Sequence, residues 1–357
     1  MILLKVINMN FYKKIFAFLL LLLPTTLPSL VSAHEVYALD PETVARLEAL
    51  PPVSLFDIFY ANISSTLIWA GLIGFMIISV FLISISATLE NKFDKHLVKL
   101  KKYAPFVARI TIGLAFITTG YNSALFGPEL PFAELFGSFA FLAQGAFVVL
   151  GTAMLFGIFT RITGLIGILF FTYGIYTYGF YMVTYLNYLA EFIVLILIGG
   201  HKFQITDEKP IWWKIPQTLD YLANRYGEFS FLILRVGFGI GLIYAAVYAK
   251  ILHNQLALAV VNDFNLTEVF GLGAEFIVFG AASVEILLGI FFILGIEIRF
   301  NAIVLNIFLT LSLLYFGESV WPHIILIGIP IAFFCYGYDK YSLEGYFFKK
   351  GNREPIF

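Results

Sequence analysis

The chain has 357 residues, of which 60% are hydrophobic and 13% charged, with a mean hydropathy of +0.90 and a formal net charge of -1. About 25% of residues are charged in an ordinary soluble domain, so this composition excludes one, and the scattered basic residues form no stripe for a nucleic-acid partner. The single cysteine, Cys335, excludes an internal disulfide and, with no C-x-x-C present, dithiol redox chemistry.

In chain order, residues 1–33 read as a signal peptide. Lys5, Lys13 and Lys14 precede an apolar core at 15–23, Pro24 and Pro28 break it, and Val31, Ser32 and Ala33 offer small residues for cleavage. An uncleaved anchor is the alternative. Cleavage leaves His34 at the mature N-terminus, where its free amine and imidazole could together hold a metal ion. It also places 34–62 outside the cytoplasm, with "LDPETVARLEALPP" as a partly helical acidic segment.

A membrane-crossing helix needs about 20 apolar residues. Nine stretches come near that length: an extra helix at 63–87, then 105–126, 139–159, 162–178, 183–200, 230–252, 271–295, 300–316 and 322–338. The fold expected is therefore an all-α polytopic membrane protein. Starting outside at His34, the basic loops fall on the inner side: of the 19 Lys and Arg after the leader, fifteen lie there, Arg46 and Lys250 lie outside, and Arg109 and Arg235 open spans. The reading places the protein in the plasma membrane with its tail, 339–357, in the cytoplasm.

The chain also repeats itself. "ARITIGLAF" at 108–116 pairs with "LRVGFGIGL" at 234–242, "AELFG" at 133–137 with "TEVFG" at 267–271, and "GTAMLFGIFTR" at 151–161 with "GIFFILGIEIR" at 289–299. Two units result, 105–203 and 230–338, joined by a linker at 204–229. Each holds four spans, an even number, so both stand the same way up.

This pattern resembles the DoxX/DoxD family of four-helix membrane proteins. The resemblance lies in the basic residue opening the first helix, the glycine one turn on, Lys250 near its outer end, Glu285 in the second helix and the "LGIEIR" that closes it. The first unit departs from it, with Ala124 where Lys250 would fall and Phe147 where Glu285 would fall. The resemblance implies a part in membrane redox metabolism, as a quinone-linked or accessory subunit of a membrane oxidoreductase.

Ionisable groups at membrane depth cost at least about 2.5–3.5 kcal/mol, so each should face the bundle and have a partner. Glu285 and Glu191 lie near the middle of their spans. Glu275 stands ten residues before Glu285, about 15 Å away in height. With Lys250 these form the proton-handling candidates, Glu191 having the alternative of a plain interhelical hydrogen bond. Arg235, Arg109 and Gln144 are the candidates for holding a cofactor such as quinone; for the arginines, snorkelling to lipid headgroups is the alternative. Arg161 and Arg299, in tight inner turns, read as topology signals. Six tyrosines, Tyr173, Tyr176, Tyr178, Tyr181, Tyr185 and Tyr188, read as an interfacial belt.

Three histidines, His34, His253 and His323, fall on the outer side and could ligate copper, or Zn²⁺ with a carboxylate, although their loops give no fixed ligand spacing. Two rival functions stay open beside the redox one. Parallel repeats around midplane acids also describe a proton-coupled carrier of a small solute. A non-catalytic assembly subunit would use the same groups only to hold helices together.

Overall fold

The computed structural model describes residue 39 and residues 41–61, 66–199, 214–316 and 321–348. The leader 1–33 and His34 lie outside the described residues. The regular elements are helical, with one isolated bridge between Ala124 and Pro131. Among the described residues three helices precede 105–203: α1 (Pro41–Glu48), α2 (Leu55–Ala61) and the long α3 (Thr66–Leu97). A 3₁₀ turn leads to α4 (Ala104–Asn122), the short α5 (Phe132–Phe136), α6 (Ala140–Phe156), α7 (Thr160–Tyr178) and α8 (Leu186–Ile198). After α9 (Lys214–Tyr226) come α10 (Ser230–Val247), α11 (Asn254–Asp263), α12 (Leu266–Phe270), α13 (Ala274–Leu294), α14 (Ile298–Phe316) and α15 (Pro322–Tyr336).

Six helical runs among the described residues are long and apolar enough to cross a membrane: Lys95–Asn122, Phe132–Phe156, Thr160–Ile198, Thr218–Leu252, Ala274–Leu294 and Ile298–Phe316. The expectation from sequence was nine. Three elements account for the difference. Pro322–Tyr336 has only 15 residues, about 22 Å of helix against a hydrocarbon core of about 30 Å. The run Thr160–Ile198 doubles back on itself, because Gly164 lies against Ile196 and Gly167 against Phe192, so it holds two antiparallel helices, α7 and the 13-residue α8. The third is α3, the 32-residue helix that carries the stretch expected at 63–87; among the described residues its counted apolar run is Met76–Glu90.

The two halves of the chain pack alike. α4 lies on α6 as α10 lies on α13, and α7 lies on α8 as α14 lies on α15. Glycines at matched positions bring the first pair of each half together: a Cβ on Gly151 would stand 2.6 Å from the Gly113 carbonyl, and one on Gly289 would stand 2.8 Å from the Gly239 carbonyl. Small residues let helix backbones approach closely where lipid gives no hydrophobic drive. The second helix of each half ends at a left-handed glycine, Gly157 (φ 67°) and Gly295 (φ 69°), a conformation in which glycine pays no steric penalty.

The halves also interlock. α8 packs on α10, and α15 packs on α4, so the fourth helix of each half lies against the first helix of the other. The two seams are built at matched positions. At one, Gly237 admits the Ala190 methyl, with a notional Cβ only 2.4 Å from it; at the other, Gly328 admits the Thr111 side chain.

Candidate functional site

The polar site forms where α10 ends and α13 passes. Beyond Val247 the backbone widens into a π-helical turn, Tyr248–Leu252, which carries Lys250; such turns recur at functional sites. Lys250 and Glu285 are both buried, at 7% and 8% exposure, and Lys250 Nζ stands 3.1 Å from Glu285 Oε2. The N-terminal segment lies across this end of the bundle. Tyr248 donates to Glu48 (3.2 Å), Val53 N–H donates to Asn254 Oδ1 (2.9 Å), Asn254 Nδ2 donates back to the Val53 carbonyl, and Gln255 donates to the Pro51 carbonyl.

Glu285 also lines a cavity of about 60 Å³ between the two halves. Its other polar walls are Thr184 and Asn187, from the turn before α8 and its first residues, with Tyr185 and Tyr188 beside them; Phe238, Leu309 and their neighbours supply an apolar lining. Asn187 Oδ1 and Thr184 Oγ1 are buried without a hydrogen-bond partner. An unsatisfied buried polar atom costs about 1–3 kcal/mol. Tyr185 donates to Glu129 in the loop after α4, and Tyr181 joins it at 3.1 Å.

Tyr185 and Tyr188 are thus misassigned by the belt reading. They are 4% and 0% exposed, whereas Tyr176, at 87%, fits a belt. The signal available in the sequence was spacing: on one helical stretch Thr184, Asn187, Tyr188 and Glu191 recur at three and four residues, which puts them on one face. Thr184 was the residue sequence reasoning missed outright.

No family model, curated protein or solved structure matches this chain. The site must be read from its own geometry.

The first half has no counterpart to the ion pair. Phe147 stands at the place of Glu285, fully buried, with ring centroids 5.0 Å from Phe116, 5.3 Å from Phe132 and 4.5 Å from Phe170. Ala124 stands at the place of Lys250 and is buried beside Trp321 and Ile324. Aromatic packing fills the space that the second half gives to charge.

Other sequence candidates fall elsewhere. Glu191 is fully buried in α8 and accepts a hydrogen bond from Thr111 on α4 at 3.0 Å, a tie between helices that does not reach Glu285. Glu275 lies in the first turn of α13 and, among the described residues, makes no hydrogen bond or ion pair. Gln144 donates to Ser123, the left-handed residue closing α4, at 2.7 Å. Neither Gln144 nor the two span-opening arginines line the cavity.

Those arginines do not snorkel. Arg109 and Arg235 are 2% and 0% exposed. Arg235 donates to the carbonyls of Phe292 (2.8 Å) and Ile293 (3.1 Å), the last turn of α13, and to Tyr341 (3.2 Å), with Asp339 3.8 Å away. A cation at a helix C-terminus meets orphan carbonyls and the negative end of the helix dipole. Arg161 and Arg299 are likewise more than topology signals. Arg161 lies over Gly199 and pairs with Asp220, and Arg299 lies over Gly337, donates to the Phe334 carbonyl and pairs with Glu90.

For a metal, His34 lies outside the described residues. His253 packs on the Tyr248 ring at 4.5 Å, His323 is buried at the start of α15, and neither joins two other ligand atoms among the described residues. The one such group is acidic, Glu90, Glu297 and Glu344, at the opposite end of α14. Within it Glu90 pairs with Arg299, and Glu344 accepts a hydrogen bond from the Ile298 N–H (3.0 Å).

A second concavity, about 440 Å³ and open, runs between α14 and α15. Its walls are apolar except for Asn306 and Thr310, and Asn306 Oδ1 is buried without a hydrogen-bond partner. α14 separates this groove from the cavity, with Phe308 and Leu309 facing one and Ile307 and Leu311 the other.

Proposed function

We propose that this protein is a DoxX-like, proton-handling membrane subunit that serves a quinone-linked oxidoreductase. The observation that carries the reading is the buried Lys250–Glu285 pair, the polar couple that the family resemblance implies, held at 3.1 Å in the second half alone. Buried charge pairs seldom add stability over apolar packing, and in membranes ionisable groups mark proton and ion routes. On this reading the chain is two tandem four-helix units, 105–203 and 230–338, with an extra helix before them. It sits in the plasma membrane with its N-terminal segment outside and its basic loops and tail in the cytoplasm, as the distribution of Lys and Arg supports.

The cavity of about 60 Å³ is too small for a quinone ring, since drug-sized ligands occupy about 300–1,000 Å³. The groove of about 440 Å³ falls in that range, opens toward the lipid side of α14, and offers Asn306 Oδ1 as an acceptor for a quinol hydroxyl, with Thr310 beside it. A quinone held there would supply the two-electron carrier. Electrons come from a partner subunit, because this chain has one cysteine and no C-x-x-C.

The test has two parts. An azido-quinone photoprobe in native-lipid nanodiscs should label the α14 segment Ile298–Phe316, compete with added ubiquinone, and lose most of its labelling in Asn306→Leu. Labelling spread evenly over all lipid-facing helices refutes the quinone part. Proteoliposomes showing proton-driven solute uptake with no redox change would instead establish the carrier reading, which the placement of the cavity between two matched halves favours.

A further inference from the structure

We infer that the cavity between the two halves is a binding site for a small cluster of ordered water, and that this cluster joins the Lys250–Glu285 pair to the outer surface through Tyr185 and Glu129. Four observations converge on it. The volume of about 60 Å³ exceeds the about 10–15 Å³ that one water needs and matches about two waters' share of liquid volume, about 30 Å³ each. Two of the residues that line it, Asn187 and Thr184, carry oxygen atoms that are buried and unpartnered, and Asn187 is only 4% exposed. A bound water needs two to four polar partners, and this wall supplies them together with the Glu285 carboxylate. The ligand should be neutral, because the Lys250 and Glu285 charges already cancel and a cation of similar size would add an uncompensated charge at membrane depth.

The route outward follows from side chains already in place. Tyr185 lines the cavity and its hydroxyl donates to Glu129, a half-buried residue of the outer loop between α4 and α5. A proton taken up at Glu129 and handed on through the Tyr185 hydroxyl and the water leaves the cluster neutral as it reaches Glu285, and its return along the same route restores the pair. The hydration is independent of the quinone reading, and only the use made of the proton rests on it.

Gly241 provides a means of emptying the site without strain. It lines the cavity, and a Cβ there meets nothing nearer than 3.6 Å, in contrast to Gly239, whose Cβ would stand 2.6 Å from a carbonyl. Gly241→Ala should therefore fold normally and remove about a water's share of the space.

X-ray radiolytic footprinting of the full chain in nanodiscs reads bound water directly, because hydroxyl radicals made from trapped water oxidise the side chains that touch it. The expected result is at least tenfold faster oxidation of Tyr188 than of Phe147 and Phe192, all three 0% exposed. Gly241→Ala, and separately Asn187→Leu, should cut the Tyr188 rate severalfold while leaving the two phenylalanines protected. A Tyr188 rate equal to that of Phe147 in the wild-type protein overturns the inference. So does a Tyr188 rate unchanged by both substitutions. Neither outcome depends on redox activity, so the proposal can fail while the quinone reading stands, and the reverse.

Discussion

At the scale of single residues, the chain concentrates cost in a few places and compensates each locally. Lys250 and Glu285 have desolvated one another, so removing one partner strands the other. Glu285→Gln should lower stability by about 3–5 kcal/mol, whereas Lys250→Met combined with Glu285→Leu should recover most of it, because the isolated charge is then gone. Unfolding midpoints in mixed detergent compare the three proteins, and a double variant no better than the single one refutes the argument. Asp339, in the turn after α15, tests burial differently. Burial pushes its carboxyl above the ordinary aspartate range, with Arg235 opposing the shift from 3.8 Å. The folded chain therefore holds that proton more tightly than the unfolded one. This group's contribution is fullest below about pH 4 and declines as pH rises through the raised value. Asp339→Asn should flatten the fall in stability over that window, measured as the unfolding midpoint against pH; an unchanged slope would falsify the assignment. The acid–base couple of this site was legible in the sequence, since both members follow a family-like pattern. Thr184 and the buried tyrosines were not, because an apolar stretch with tyrosines reads equally as a lipid interface, and only packing decides which face turns inward.

At the scale of helices, glycine position governs how the elements meet. Gly239 and Gly280 lie on neighbouring packed helices, α10 and α13, yet a methyl group has opposite consequences at the two. At Gly239 it would stand 2.6 Å from the Gly289 carbonyl, so Gly239→Ala should cost about 1–3 kcal/mol by forcing the helices apart. At Gly280 nothing lies within 4 Å, so Gly280→Ala should gain up to about 1 kcal/mol through helix propensity alone. Thermal unfolding of the two variants side by side checks the sign, and equal shifts would remove the close-crossing account. Hydropathy located the helices well: each of the nine apolar stretches holds a helix. It also separated 162–178 from 183–200, where the chain turns back at Gly179–Tyr185 between two antiparallel helices. It misread the four matched arginines. A basic residue at the start of a span looks the same in sequence whether it reaches for lipid headgroups or, as Arg235 does, for the open carbonyls of a neighbouring helix.

At the scale of the whole molecule, matched motifs became matched contacts, and then a division of labour. Both halves keep the glycine crossing and the left-handed helix ends, while only the second keeps the Lys–Glu pair and the first fills that place with Phe147. A duplicated frame in which one copy holds the polar chemistry needs the other copy for support, and the seams make that support reciprocal. α8 lies on α10 through Ala190 and Gly237, and α15 lies on α4 through Thr111 and Gly328. Each half thus covers the first helix of the other, and either half alone would expose two seam faces that carry Glu191, Thr111 and the cavity wall. A chain divided in the linker near residue 205 should therefore reassemble: the two pieces, co-expressed, should co-purify as a one-to-one complex, and each expressed alone should be degraded or aggregate. Gly237→Leu should reduce recovery of the complex at least tenfold, because even its Cβ would stand 2.4 Å from the Ala190 methyl. Gly280→Leu, on an open face of α13, should leave recovery unchanged and controls for added bulk. Stable, separately soluble halves would show that the seams are incidental, and that the cavity between them is an accident of packing rather than a site both copies build.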